Sequence, residues 1–281
     1  MTDRRKRTTR LRPKSRRQAH TSIAVFTAID GTLLDGKTFE GGTARATVGR
    51  LHAAGIPVIP VSVMTLNEIV PIADDFGFRS AMVIEAGGAI ARWSGAWEIE
   101  PCGPAAETLL DVVRAIEDRS GARLLVYSAL PEPDAAVISG RRGEMLAAST
   151  RRCFSEPFVI ESGDFDAVRD AASTFGFSVR RGRRFLHLGR ACDEGEAFAR
   201  VRDELQCDVA VGLGGSMVDA EWLAEADMRV IVPAPGGPDR ELAARFPDAR
   251  IAPAPAPNGW AAAVEDLFGD LTSTKQRLGG F

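Results

Sequence analysis

Small and polar side chains follow directly after four apolar runs of the sequence, where buried strands are expected to end. These segments are residues 28–32, 62–65, 85–88 and 214–219. In an open α/β sheet, ligands bind beyond the carboxyl ends of the strands, so the chemistry of the chain is expected there. Asp30 is the acidic side chain of the first segment and could donate or accept a proton.

Strand and helix patterns alternate around these segments. Apolar runs predict strands at residues 23–26, 56–62, 81–85, 208–214 and 229–233. Helical patterns lie at residues 43–54, 65–76, 194–205 and 261–268. Near-continuous apolar strands that alternate with helices are typical of a parallel sheet covered on both faces. We therefore expect an α/β fold with a doubly wound parallel-sheet core.

The middle of the chain has a different pattern. It predicts helices at residues 105–119 and 165–175 and strands at residues 124–127, 158–161, 178–180 and 185–188. This mixture indicates a separate α+β module inserted into the core. The domain prediction is a core of residues 22–92 and 190–270, a cap of residues 93–189, and tails at residues 1–21 and 271–281.

Charge is distributed unevenly along the chain. The first 20 residues carry a net charge of +8, and the rest carry −11. The first 20 residues contain too few apolar side chains to offset the entropy lost when the chain becomes ordered. We therefore predict that this tail is disordered. Neutralising nucleic-acid phosphates is one function open to such a tail, although no interleaved aromatic residue indicates base stacking.

Cysteine usage and hydropathy point to the cytoplasm. Cys102, Cys153, Cys192 and Cys207 form no C-x-x-C pair, which favours free thiols over a disulfide framework or a zinc site. No apolar run approaches the length of about 18 residues that a membrane span needs. Polar residues, rather than the apolar run of a signal peptide, follow the basic start.

Several segments resemble a known family. Residues 26–35 read Phe-Thr-Ala-Ile-Asp-Gly-Thr-Leu-Leu-Asp and resemble D-x-D-G-T, the first motif of haloacid dehalogenase superfamily phosphatases. Residues 60–65, 83–90, 154–158, 181–188 and 254–260 are similar, in this order, to the mannosyl-3-phosphoglycerate phosphatase family. The resemblance implies a haloacid-dehalogenase-like core, an inserted cap and Mg²⁺-dependent hydrolysis of a phosphate monoester.

The resemblance also implies roles for individual residues. A first-motif carboxylate attacks phosphorus, and the carboxylate two residues later, here Asp30, serves as general acid and base. A second-motif hydroxyl holds the phosphate, a role that falls to Ser62 and Thr65. Mg²⁺ prefers carboxylate and water oxygens, and Asp30 and Asp219 are its residual candidates. The alternative is that Asp30 accepts N–H groups of its turn and Asp219 caps a helix.

The chain departs from the family at the positions that carry the chemistry. Ala28 occupies the nucleophile position, Glu194 the third-motif lysine position and Gly215 the leading acid of the fourth motif. Val218 and Met64 replace a further asparagine and lysine. These changes imply weak or absent Mg²⁺ binding and loss of activity. A glutamate at the lysine position is also expected to repel a phosphate.

The cap segments keep polar side chains suited to a sugar-phosphate or glycerate-type ligand. By resemblance, substrate binding falls to Ser155, Glu156, Arg181, Arg184 and His187. The planar guanidinium fork matches carboxylate and phosphate. The alternative is that the arginines are solvated and that His187 is a hydrogen-bonded structural histidine.

Three functional hypotheses follow from these observations. The first is a mannosyl-3-phosphoglycerate-phosphatase-like protein that has lost hydrolysis and keeps a ligand in the cap cleft. The second is an active Mg²⁺-dependent phosphatase of a glycosyl-phosphoglycerate with a displaced nucleophile, Asp30 or Asp35. The third is a structural or interaction protein with a basic nucleic-acid-binding tail.

Overall fold

The computed structural model describes residues 22–182, 184–189 and 193–269. The predicted tails at residues 1–21 and 271–281, and Cys192, lie outside the described residues. Within the described ranges, no helix combines the length and the apolarity that crossing a bilayer requires.

Strands and helices alternate in the first and last parts of the chain. The strands are β1 (Ile23–Thr27), β2 (Val58–Pro60), β3 (Ala81–Ile84), β4 (Ala89–Trp93), β5 (Trp97–Pro101), β6 (Arg123–Val126), β7 (Pro157–Ser162), β8 (Ser178–Arg181), β9 (Leu186–Gly189), β10 (Val209–Gly214), β11 (Met228–Ile231) and β12 (Arg250–Ile251). The α-helices are α1 (Gly42–Ala53), α2 (Leu66–Phe76), α3 (Ala106–Ser120), α4 (Glu132–Ser139), α5 (Gly143–Thr150), α6 (Phe165–Thr174), α7 (Asp193–Glu204), α8 (Ala220–Ala224), α9 (Arg240–Arg245) and α10 (Asn258–Phe268).

A five-stranded parallel sheet lies at the centre of the core, in the order β12-β11-β10-β1-β2. Apolar side chains of α1, α2 and α10 pack on one face of this sheet. Those of α7, α8 and α9 pack on the other. Burial on both faces explains why the strands are almost continuously apolar. The predicted doubly wound α/β core is confirmed.

The strand pattern had predicted β3 as a further strand of this parallel sheet. In the structure, β3 does not form a parallel ladder with β2. It pairs antiparallel with β4, and β4 with β5, in a separate three-stranded sheet. One parallel bridge, between Val61 and Val83, joins it to the end of β2. The turn after β3 is the cause, because Glu85 and Ala86 adopt φ values of 49° and 59° and return the chain into β4. β5 lies within the range predicted for the cap, and the domain boundaries stay a prediction.

The cap is an antiparallel four-stranded sheet in the order β6-β7-β9-β8. Apolar side chains of α3 and α6 pack on it and form its core. The strand and helix patterns predicted these elements to within two residues. They did not predict α4 and α5, two eight-residue helices between β6 and β7, of which α5 contacts α2 of the core.

Candidate functional site

The carboxyl ends of β1, β2 and β10 open into a cleft between core and cap. Its volume is about 590 Å³, including space open to solvent. The core side is lined by residues 28–30, 61–63, 216, 218 and 219, and the cap side by Arg141, Gly182, Arg184, Phe185 and His187. Of the predicted site residues, the structure thus brings together Asp30, Ser62, Arg184, His187 and Asp219.

Ala28 is the first residue after β1, and it lines the cleft. Its backbone N–H donates to the Leu213 carbonyl of β10 at 2.9 Å, so the sheet ladder holds it in place. Only a methyl group extends from this position. A methyl group has no lone pair with which to attack phosphorus or coordinate a metal ion.

Asp30 forms an ion pair with the cap. Nη1 of Arg184 donates to Oδ2 of Asp30 at 3.1 Å, and Nη2 of Arg184 donates to the Gly36 carbonyl at 3.0 Å. Nη2 of Arg141 lies 3.9 Å from the same carboxylate oxygen. The N–H groups of Thr32, Leu33 and Leu34 in the turn after β1 donate to the Ile29 carbonyl. The Asp30 side chain therefore connects core and cap.

Arg141 is a cleft residue that sequence reasoning missed. It follows α4, its side chain is 8% exposed, and its Nε lies 2.6 Å from Oε1 of the buried Glu68. The guanidinium carbon lies 5.4 Å from the ring centroid of Phe39, and that of Arg184 lies 6.0 Å from the same ring. No motif surrounds Arg141 in the sequence, so only the fold reveals its position.

Phe39 is held between these arginines by a strained turn. Its φ is 60°, a left-handed conformation that costs a non-glycine residue about 1 kcal/mol or more. The Asp35 carboxylate accepts the backbone N–H groups of Lys37 and Thr38, both at 2.8 Å. These two hydrogen bonds lower the pKa of Asp35. The turn thus presents an aromatic face to two cations, the geometry of a cation–π contact.

The two predicted phosphate-binding hydroxyls differ in their surroundings. Ser62 lines the cleft, and its Oγ accepts the Met64 N–H at 3.2 Å. Thr65 is the N-cap of α2: its Oγ1 accepts the Glu68 N–H at 3.2 Å and donates to the Ala148 carbonyl at 3.1 Å. The Thr65 hydroxyl is therefore already hydrogen-bonded to the first turn of α2 and to the cap, and Thr65 does not line the cleft.

The fourth-motif segment forms a turn closed by Asp219. Oδ2 of Asp219 accepts the N–H groups of Gly215 and Ser216 at 2.8 and 3.0 Å. Across the described ranges, no three His, Cys, Asp or Glu side chains converge to hold a metal ion. Ala28 and Gly215 offer no side-chain oxygen, and Asp30 is paired with Arg184. This donor set does not fit Mg²⁺, which prefers several oxygen ligands.

Glu194, which the resemblance assigns to the third-motif lysine position, forms an ion pair with a cap arginine. Nη1 of Arg180 donates to Glu194 Oε2 at 3.0 Å and to Glu221 Oε2 at 2.9 Å, and Nη2 donates to the Ala86 carbonyl at 3.3 Å. The side chains of Arg180 and Glu194 are only 9% and 2% exposed. Glu194 thus shares Arg180 with Glu221 and does not line the cleft. This geometry does not favour the expected repulsion of a phosphate, which stays a prediction.

Ser155 belongs to a buried junction rather than to the cleft. Glu85 accepts the N–H groups of Cys153 and Phe154 at 3.1 and 2.9 Å, and the Ser155 hydroxyl at 2.9 Å. Nε of Arg152 donates to Ser155 Oγ at 2.9 Å. These contacts fasten the segment before β7 to the turn after β3.

Glu156 and Arg181 also lie away from the cleft lining. The Glu156 carboxylate accepts the Ser128 hydroxyl at 2.8 Å, and burial raises the pKa of this carboxyl group. The Arg181 guanidinium lies 3.9 Å from the centroid of the Phe165 ring. Their assignment to substrate binding stays a prediction that this geometry does not favour.

His187 is a buried, neutral side chain at the back of the cleft. It is 5% exposed, and the absence of a Cβ at Gly182 makes room for its ring. Burial, together with the nearby charges of Arg152 and Arg180, lowers the pKa of His187 to about 3. Its Nδ1 has no hydrogen-bond partner among the described residues. This differs from a structural histidine whose nitrogens are both satisfied.

The neutral state of His187 predicts a pH-dependent stability. Its pKa is near 3 when folded and 6.5 ordinarily, so the unfolded chain takes up the proton first, and stability falls as the pH drops below 6.5. Between about pH 7.5 and about pH 5.5, the unmodified protein should lose about 1 kcal/mol more stability than His187→Gln. Urea unfolding at both pH values measures this difference. Parallel losses in the two proteins would contradict it.

Two proteins of related sequence carry the same name. The glucosyl-3-phosphoglycerate/mannosyl-3-phosphoglycerate phosphatase of Persephonella marina is 25% identical over 230 residues, covering 75% of this chain and 85% of that protein. The protein of the same name from Methanococcoides burtonii is 22% identical over 264 residues, covering 87% and 97%. No protein-family model matches the chain.

A solved structure decides the fold. A phosphatase of the haloalkanoate (HAD) enzyme superfamily from Bacteroides thetaiotaomicron superposes with a TM-score of 0.69 at 14% identity, covering 93% of this chain and 99% of that one. This chain has the haloacid dehalogenase fold. The resemblance to the mannosyl-3-phosphoglycerate phosphatases is confirmed by the two related sequences. The resemblance predicts that Ala28, Glu194 and Gly215 stand where the phosphatases' motifs have catalytic residues.

Proposed function

We propose that this haloacid-dehalogenase-like protein is catalytically impaired or inactive and keeps its cleft for binding a sugar-phosphate or glycerate-type ligand. The observation that carries the proposal is the Ala28 methyl group at the end of β1, inside the cleft. Phosphoryl transfer through an aspartyl-phosphate needs an oxygen nucleophile at that position. Without one, a bound phosphate monoester has no covalent partner there.

Three further features support the loss of hydrolysis. Glu194 forms a salt bridge with Arg180 where the family has a lysine. Gly215 brings no carboxylate, and the cleft does not fit Mg²⁺. Asp30, the retained acid/base position, is paired with Arg184 at 3.1 Å. A general acid must reach the leaving-group oxygen, and this pairing directs the carboxylate toward the cap instead.

Phosphate release is the direct test. We expect the full chain, incubated with Mg²⁺ and either mannosyl-3-phosphoglycerate or glucosyl-3-phosphoglycerate, to release phosphate no faster than buffer. A haloacid dehalogenase phosphatase assayed alongside serves as the positive control. Turnover at that control's rate would overturn the proposal.

Slow turnover would point to a displaced nucleophile. Asp30 is the candidate that lies in the cleft, whereas the Asp35 carboxylate is held by the backbone of its own turn. If Asp30 forms the covalent bond, Asp30→Asn abolishes the residual release, and a phosphate mimic leaves an adduct on its peptide. Unchanged release in Asp30→Asn would exclude this route.

A further inference from the structure

One polar group of the cleft, Nδ1 of His187, is buried without a hydrogen-bond partner among the described residues. Nε of Arg141 is paired with Glu68 at 2.6 Å, while its Nη2 lies 3.9 Å from the Asp30 carboxylate, beyond hydrogen-bond distance. The side chains of His187 and Arg141 are both more than nine-tenths buried, and both line the same cleft. Leaving a buried polar group unsatisfied costs about 1–3 kcal/mol of free energy. Such a group at the wall of a cleft, beside a guanidinium with Nη donors still to be filled within the described part of the chain, indicates a ligand that completes their hydrogen bonds.

The charges around the cleft select the kind of ligand. Arg141 and Arg184 both face Asp30, and both contact the Phe39 ring. A guanidinium group presents a planar set of N–H donors that matches two oxygens of a carboxylate or phosphate. His187 is neutral at physiological pH and adds a hydrogen bond without adding charge. The cleft therefore favours a small anion with oxygen atoms.

The same geometry makes a divalent cation unnecessary. In the family pattern, a carboxylate nucleophile would repel the phosphate, and Mg²⁺ and lysine would offset that repulsion. Here the position of that carboxylate is Ala28, and the cations on the cleft wall are arginines of the cap. An incoming anion competes with the Asp30 carboxylate for Arg184. The Asp30 side chain is 21% exposed, so water can solvate the carboxylate when the anion displaces it.

We propose that this cleft binds the anionic oxygen group of a small ligand, a phosphate monoester or a carboxylate, through Arg141 and Arg184 without any divalent cation. The proposal deepens the proposed function because it names how the same cleft holds its ligand. It involves no covalent step. The anion replaces Asp30 beside the two arginines, and Nδ1 of His187 hydrogen-bonds to the ligand.

Calorimetric titration of the full chain in EDTA tests this proposal. The probes are inorganic phosphate, D-glycerate and 3-phosphoglycerate, which separate phosphate from carboxylate as the recognised group. We expect at least one probe to bind, and Arg141→Gln to weaken it about tenfold or more, the effect of losing hydrogen bonds to a charged group. Arg142→Gln is the matched control, because Arg142 is the adjacent exposed arginine outside the cleft, and it should bind as the unmodified protein does.

A second variant is needed in case Arg141→Gln fails to fold, because that substitution leaves the buried Glu68 with only the more distant Arg152, at 4.0 Å, as a cation among the described residues. Arg184 is 28% exposed, and Arg184→Gln should weaken the same probe without opening the core. Absence of binding for all three probes, or equal binding by Arg141→Gln and Arg142→Gln, would overturn the proposal. Phosphate release with Mg²⁺ is measured separately, so hydrolysis without EDTA-resistant binding, and binding without hydrolysis, are distinct outcomes.

Discussion

Glu194→Lys, which introduces the residue type that the phosphatase motif has at this position, should destabilise the protein by about 3 kcal/mol or more. The side chain of Glu194 is 2% exposed and lies 3.0 Å from Nη1 of Arg180. A lysine there would place two cations together in a buried site, with the half-buried Glu221 as the single carboxylate of the described residues that contacts Arg180. Removing one partner of a buried ion pair leaves an uncompensated charge, which is far more costly than losing a surface pair.

Urea unfolding measures this effect, and the same helix supplies a control. Glu196 is exposed on α7, so Glu196→Lys makes the same change of charge and should alter stability by less than about 0.5 kcal/mol. A double-mutant cycle of Glu194→Gln and Arg180→Gln isolates the pair itself. Equal destabilisation by the two lysine variants would show that Arg180 and Glu194 do not interact in solution.

This pair also shows what the sequence alone cannot reveal about the charge at the predicted third-motif position. The resemblance assigns Glu194 to that position, but its partner Arg180 lies in the cap, on β8. Whether a buried carboxylate repels a ligand depends on what faces it, and pairing between two domains leaves no pattern along the chain. The Arg184–Asp30 pair, 154 residues apart in sequence, is hidden in the same way.

The core was predictable because its signals are local. β1 and β10 are nearly continuous apolar runs, and burial on both faces requires that. Thr65 and Glu68 form a capping box at the start of α2, and Gly77, with φ of 72°, ends it. In contrast, α4 and α5 are short helices without a strong apolar stripe, and Arg141 lies in the loop between them. The cleft residue hardest to predict thus lies where periodicity is weakest.

Ala28→Asp, which introduces the carboxylate that the first motif usually has, should abolish ligand binding in EDTA rather than create an enzyme. A carboxylate about 5 Å from a bound monoanion costs about 3 kcal/mol at an effective dielectric of about 20, which is a loss of more than about 100-fold. Neither Glu194 nor Gly215 supplies the cation or the metal ligand that would offset this repulsion. Adding Mg²⁺ should therefore restore neither binding nor phosphate release.

Ala28→Asn separates charge from size in this experiment. Asparagine has nearly the shape of aspartate and no charge, so we expect it to bind the calorimetric probe within a few-fold of the unmodified protein. Asp30→Asn should shift affinity in the opposite direction, because it removes the carboxylate that competes with the anion for Arg184. Equal losses in Ala28→Asp and Ala28→Asn would mean that crowding, not charge, governs the position. A rise in affinity on adding Mg²⁺ to Ala28→Asp would mean that a single carboxylate is enough to rebuild the metal site.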